Sequence, residues 1–248
     1  MHRSVWLPLL VALALSACGR DEPTSFQSAS DGDSTLTVEN GIAVLRLRGD
    51  ARERGAAHGR LLRDSIRVAL DRLRPVEPSM VPFAINDCSG RLLRFVPPEL
   101  RAELEGLAEG SGLTLNEIVF LNARFELAQF RLVGEGDGRQ RLLQGAAVGP
   151  GPSVVRHLDP ADLDGLADTV LIVTHETGAG DRLVTVTLPG VAGALAGLRG
   201  ETAATLRPVP VSGTPDLSGL VWPLFLRLVL EQPGAFAPGG EPVSYTHL

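Results

Sequence analysis

The sequence predicts an α+β fold. Helical apolar spacing fills the first part of the domain, a run of short β-branched segments separated by Gly, Asp or Pro follows, and one more helical pattern comes after them. Helices, then hairpin-like strands, then a helix is the order of an α+β domain rather than of an alternating α/β one.

Taken in order, residues 41–48 (GIAVLRLR) alternate apolar and polar and read as a strand. Asp50 and Glu53 have capping-box spacing, so a helix opens there. Leu62, Ile66, Ala69 and Leu73 continue it at helical spacing until Pro75. A second helix starts at Pro97 and Pro98, where Pro suits a first turn, and stops at Gly110 and Gly112. A third opens on the capping box of Thr114 and Glu117 and carries Ile118, Leu121 and Phe125 on one face. Strands are predicted from Leu142 to Val148, Val154 to His157, Asp168 to Glu176 and Arg182 to Leu188, with two more over 192–198 and 202–206. In the Arg182–Leu188 run, Val184, Val186 and Leu188 alternate with Leu183, Thr185 and Thr187, which suits a sheet covered more heavily on one face. The last helix runs from Leu220 to Glu231 and presents Leu220, Leu224 and Leu228 together.

Both ends of the chain read as something other than this domain. His2 and Arg3, the apolar run Trp6 to Leu15, and the small residues Ser16 and Ala17 form an export signal over 1–17, too short for a bilayer span. Leu15-Ser16-Ala17-Cys18 looks like a bacterial lipobox, with Cys18 as the lipidation site; the alternative is an ordinary secretory peptide cut near Ala17. Residues 18–40 are rich in Ser, Asp and Thr and read as a flexible tether, leaving one domain over 41–242. The terminal VSYTHL, residues 243–248, is encoded by one frame of a transposon adaptor used in sequencing libraries, and is expected to be a scar on a C-terminally truncated domain.

Composition narrows the function classes. The net charge of -6 is mildly acidic and dispersed, which gives no footprint for nucleic acid. Every basic residue other than His is Arg, the usage of a GC-rich bacterial genome. With Cys18 lipidated only Cys88 remains, so no intramolecular disulfide forms and stability rests on the core.

The segments GAAHG (55–59), ELEGLAEGSGLTLNEIVFLNARFEL (103–127), RHLDP (156–160) and LPGVAGALAGL (188–198), with PLFLRLVLE (223–231) behind them, resemble the acyl-coenzyme A:6-aminopenicillanic acid acyltransferase family of Ntn (N-terminal-nucleophile) hydrolases. The resemblance implies an Ntn-hydrolase-like four-layer αββα sandwich whose precursor cleaves itself before a Cys. The freed α-amino group, with a reference pKa of about 7.7–8.0, then serves as the local base for thiolate attack on an amide or thioester. That chemistry needs Cys, Ser or Thr at the start of the strand after the helices. From Leu115 to Pro152 the chain has none, and the predicted strand offers Leu142, Leu143, Gln144 and Gly145. Where the family has Asn and Trp, this chain has His157 and Leu158; Asp159 is retained, and Arg199 stands where the family has Asn.

These residues lead to an exported lipoprotein with an Ntn fold that is catalytically inactive and acts as a ligand-binding or scaffold pseudoenzyme. The alternative is an active amidase or acyltransferase on small amide or acyl substrates, using a non-standard nucleophile. No catalytic residue is assigned; Asp159 and His157 are the candidate pocket residues. Cys88 lies before the helical block rather than after it and reads as a small buried hydrophobe. His58 reads as a packing or capping residue. Asn122, Arg124 and Glu126 read as structural, and Arg124 and Glu126 cannot share a helix face at their spacing. Arg227 reads as a helix-end or surface ion-pair partner rather than a clamp for a substrate carboxylate. His157 with Asp159, and His175 with Glu176, lack the spacing of a zinc motif, so neither a metal nor a cofactor is expected. The expected partners are the lipid bilayer, reached through Cys18 on the exported side of a bacterial envelope, and a small-molecule ligand.

Overall fold

Alternation in the β-branched segments is realised in one large sheet of seven strands plus a separate hairpin. The computed structural model describes residues 26–73, 78–129, 146–148, 154–156, 166–177, 181–200, 202–205 and 217–232. Its strands are β1 (Ala29–Asp31), β2 (Ser34–Glu39), β3 (Ile42–Arg48), β4 (Ala146–Val148), β5 (Val154–Arg156), β6 (Leu171–Thr177), β7 (Asp181–Thr187), β8 (Ala196–Arg199) and β9 (Thr202–Thr205). The large sheet has the order β1-β2-β3-β6-β7-β8-β9. All its neighbours are antiparallel except β3 and β6, which pair in parallel with Leu45 opposite Val173 and Leu47 opposite His175. A parallel pair cannot be joined by a tight turn, so the chain between these strands makes a long crossover that carries most of the helices.

The sheet starts earlier than the tether reading of 18–40 expects. Thr35 and Thr37 alternate with Leu36 and Val38, and Leu36 pairs with Leu45 and is buried in the core. The turn that joins β2 to β3 is Asn40-Gly41, with φ of 53° and 81°. Two positive φ values in a two-residue loop are the hairpin geometry that Asn-Gly favours. The Ser- and Asp-rich composition of this stretch suits an edge hairpin as well as it suits a linker.

The helices are α1 (Ala51–Leu61), α2 (Arg63–Leu73), α3 (Ser89–Leu92), α4 (Pro98–Ser111), α5 (Leu115–Asn122), α6 (Arg124–Gln129) and α7 (Trp222–Glu231). Both predicted capping boxes are formed, Asp50 with Glu53 and Thr114 with Glu117. Two helices are shorter than their apolar spacing suggests: the first breaks at Leu62 and the third at Ala123. A π-helical turn, Phe83–Cys88, precedes α3, in a stretch without a helical repeat in the sequence. α4 stops where expected, at Gly112 with φ of 73°, and the amides of Gly112 and Leu113 both bond the Ala108 carbonyl.

One face of the large sheet is packed on these helices. Leu45, Leu47, Leu171 and Val173 join Ile66, Leu104, Leu107 and Phe120 in a single apolar core. The same face runs on through Leu183, which clusters with Ala194, Leu226 and Leu230 under α7. On the opposite face Ile172, Thr174, Val184 and Leu198 are half-buried. The uneven cover expected of the 182–188 strand is therefore present, with Leu183, Thr185 and Thr187 on the fully buried side. β4 and β5 pair antiparallel, Val148 opposite Val154, and β5 lies against β8 and β9.

The closest packing in the helical layer is between α1 and α4, and glycines make it. A Cβ placed on Gly55 would stand 1.9 Å from the Glu103 carbonyl oxygen, and one on Gly59 2.6 Å from that of Leu107. Reciprocally, a Cβ on Gly106 would stand 2.1 Å from the Arg52 carbonyl oxygen, and one on Gly110 2.1 Å from that of Ala56. Each helix thus lays a Gly-x-x-x-Gly edge on the other's backbone, and the GAAHG segment is this edge. Gly106→Ala and Gly110→Ala are each expected to destabilise the fold by about 3 kcal/mol or more in urea unfolding, because backbone rather than a flexible side chain must move. Gly90→Ala in α3, with open space around it, is expected to be neutral or to stabilise by about 0.5–1 kcal/mol.

Candidate functional site

The backbone contact between α1 and α4 brings together polar residues that would otherwise be kept apart. Glu103 lies on the core side of α4, among Leu100, Leu104 and Leu107, and is 1 % exposed. Arg227 lies on the core side of α7 and is fully buried. Its guanidinium grips the carboxylate with two parallel bonds, Nη1 to Oε1 at 2.6 Å and Nη2 to Oε2 at 2.7 Å. Nη1 also donates to the Ala192 carbonyl at 2.7 Å, and Nε to Glu231 Oε1 at 2.9 Å. Arg54, one turn before His58 on α1, approaches Glu103 Oε2 at 3.4 Å. From the sheet, His175 places Nδ1 4.0 Å from Glu103 Oε1.

Charge balance decides the protonation states. Burial by itself would raise the Glu103 carboxyl, but Arg227, backed by Arg54, holds it at about 2. Burial works against the Arg227 charge as well, yet Glu103 and Glu231 keep it above its ordinary value. Two carboxylates therefore face two guanidiniums, and a proton on either imidazole would be a surplus positive charge in a dry site. Burial pushes His58 down to about 4 against the pull of Glu103, and pushes His175 well below its ordinary value with Arg227 adding to the effect. His58 Nε2 accepts the Gly190 amide at 3.3 Å, which assigns its proton to Nδ1. An imidazole committed in this way is a packing partner and not a free base, in keeping with the sequence expectation for His58. Arg227 differs from expectation. It is neither a surface ion-pair partner nor a helix-end residue, because its place in the apolar stripe with Leu224 and Leu230 carries it into the core.

Asn122 holds the loop after β7 from the other side. Nδ2 donates to the carbonyls of Ile118 at 2.8 Å and Gly190 at 3.0 Å, while Oδ1 accepts from the amides of Ala192 at 3.0 Å and Gly193 at 3.4 Å. The whole hydrogen-bonding capacity of the amide is used. Glu126 serves α7. Val221 gives that helix no side-chain cap, and Glu126 Oε1 instead accepts the Trp222 amide at 2.5 Å. Burial pushes Glu126 up to about 8, against the lowering effect of the Trp222 amide and its own. Phe125 packs on Trp222 with ring centroids 4.5 Å apart and planes tilted by 49°, and the Arg124 guanidinium sits over the Phe125 ring. Asn122, Arg124 and Glu126 are all buried, and the break at Ala123 lets Arg124 and Glu126 take separate roles.

His58, Glu103, Gly190, Ala192 and Arg227 come from four of the five segments that carry the family resemblance. They meet in one buried network that consumes their polar atoms. The fifth segment supplies the pocket candidates His157 and Asp159, and both lie outside the described residues, as do Cys18 and residues 142–145. Cys88 ends the π-helical turn, where it is buried and where burial raises its thiol. Arg199 donates to the Glu231 carbonyl at the end of α7. Among the described residues no group of three or more His, Cys, Asp and Glu could hold a metal ion, and no helix is long and apolar enough to cross a membrane. The Glu103–Arg227 pair was not expected, although its signal is in the sequence: each is a charged residue inside an apolar helical stripe. No protein-family model matches the chain, and no curated protein matches it.

Arg227→Met leaves Glu103 charged and buried and is expected to lose about 3–5 kcal/mol in urea unfolding. Adding Glu103→Leu should recover most of that loss, giving a strongly non-additive cycle. Glu126 has a raised native pKa, so the stability it contributes is present below the unfolded value of 4.5 and is lost as pH rises through about 8. Glu126→Gln keeps an acceptor for Trp222 without that titration. Its stability should change less than the parent's between about pH 5 and about pH 8, and at the upper end it should be at least as stable.

Proposed function

We propose that this chain is a non-catalytic relative of the Ntn acyltransferases and amide hydrolases, anchored through Cys18 on the exported side of a bacterial envelope and serving as a ligand-binding or scaffold protein. The observation that carries the reading is the absence of Ser, Thr and Cys from Leu115 to Pro152, directly after the helical block. Self-cleavage and acyl transfer both need a nucleophile at the start of the strand that follows, and neither Leu nor Gln nor Gly can attack a carbonyl.

The described residues support the same reading. Cys88 is buried with a raised thiol pKa, which is the opposite of an activated nucleophile. His58 and His175 are buried and neutral, and the nearest carboxylate to them is occupied by Arg227. An αββα sandwich is the proposed architecture. A large mixed sheet with helices packed on one face, and a β-hairpin against its β8–β9 end, is what supports that proposal. The ligand is proposed to be a small molecule, with His157 and Asp159 in its pocket.

Expression of the full-length gene without its signal segment separates this reading from that of an active amidase. A single intact band on a denaturing gel, unlabelled by an acylating probe, is expected. Two fragments with a new N-terminus near Gln144, or after Cys88, would establish self-processing and overturn the non-catalytic reading.

A further inference from the structure

We infer that α7 is an acid-released latch, in which protonated His175 takes the Glu103 carboxylate from Arg227 and frees the helix while the α1–α4 pair stays closed. This goes beyond the proposed function and does not depend on it.

The geometry places a competitor beside the existing pair. Glu103 Oε1 accepts Arg227 Nη1 at 2.6 Å, and His175 Nδ1 stands 4.0 Å from the same oxygen with no hydrogen-bond partner among the described residues. A shift of about 1 Å would convert that spacing into a charge-assisted bond once the imidazole carries a proton. The groups facing His175 are Glu103 from α4, Arg227 from α7, and Arg54 and His58 from α1. Across the sheet its neighbours are Leu47 of β3 and Leu183 of β7, which do not titrate. A proton on His175 therefore meets positive charge from Arg227 and Arg54, and Glu103 is the one anion beside it among the described residues. Moving Glu103 toward His175 leaves Arg227 with the Ala192 carbonyl and the more exposed Glu231.

The two helix contacts respond to acid differently. α1 and α4 interlock backbone on backbone through Gly55, Gly59, Gly106 and Gly110, and this interlock does not rest on the ion pairs of Arg54 with Glu103 and of the exposed Arg52 with Glu105 and Glu109 that lie beside it. α7 is held by Leu224, Leu226 and Leu230, by Glu126 at its first turn, by the Arg199 side chain at its last carbonyls, and by the Glu103–Arg227 fork. Only the fork has an imidazole as its competitor. Burial first, and Arg227 next, hold His175 below its ordinary value. The stabilisation that comes from keeping it neutral is thus complete above the unfolded value of about 6.5 and declines as pH falls below it. Glu126 acts in the opposite sense over a window, from its unfolded value of 4.5 to about 8, that overlaps this one, so a Glu126→Gln background separates the two responses.

Hydrogen exchange resolved by segment tests this on the full chain, compared at about pH 7 and about pH 5 after correction for intrinsic exchange. The amides of α7 are expected to exchange at least about tenfold faster at the lower pH relative to those of α1 and α4. His175→Gln should remove that difference while leaving α7 protected at the higher pH. Trp222, at the first turn of α7, gives a second readout: in the chain from Gly19 onward it is the only tryptophan, and a Glu126→Gln background isolates its fluorescence from the neighbouring carboxyl. If α7 stays protected in acid, or loses protection together with α1 and α4, the latch is overturned whatever the variants do. An acid response that survives in His175→Gln, or in His175→Asn should the first variant fail to fold, also overturns it.

Discussion

Neither Glu103 nor Arg227 reaches solvent, so each depends on the other for its charge. A carboxylate and a guanidinium withdrawn from water are tolerable only when their geometry is good and their remaining donors and acceptors are met. Here the fork is bidentate, the spare donors of Arg227 go to Ala192 and Glu231, and Arg54 adds to the second carboxylate oxygen. The pair joins α4 to α7 across 124 residues of chain, and the loop after β7 is drawn in with them. Such a pair is weak evidence of net stability and stronger evidence of specificity, because any packing that separates the partners leaves a bare buried charge.

The rest of the helical layer is arranged around that requirement. Glycines on α1 and α4 let the two backbones touch, which sets Arg54 and His58 against the Glu103 turn. Asn122 and His58 hold the 190–193 loop from two sides, so the Ala192 carbonyl is fixed where Arg227 needs it. Glu126 fixes the start of α7 and Arg199 its end. Polar groups of this kind attract attention as reactive residues when met in a sequence. In the fold Glu103 and Arg227 bond each other, Asn122 bonds the 190–193 loop, and together they fasten α4, α7 and that loop.

Local rules explain what was legible in advance. Capping boxes at Asp50 and Thr114 are read within a single turn, and the Gly112 stop depends only on its own φ. Strand alternation located most of the sheet, since side-chain faces repeat every two residues regardless of partner. The β1–β2 hairpin was hidden because its polar residues are tolerated at a sheet edge, leaving composition ambiguous. The π-helical turn at 83–88 has no periodic signature at all. Glu103 and Arg227 each announce themselves as charges in apolar stripes, but nothing local says that they meet. His157 and Asp159, chosen by motif position, lie outside the described residues.

The parallel pairing of β3 with β6 has a kinetic consequence. Arg48 bonds Glu176 at a sequence separation of 128, so this strand junction joins segments synthesised far apart in time. The N-terminal hairpin must wait with one edge of β3 open until the helical crossover and β6 have emerged. High contact order of this kind slows folding and lengthens the exposure of a sticky edge. The α1–α4 glycine contact joins segments nearer in sequence and does not wait for β6.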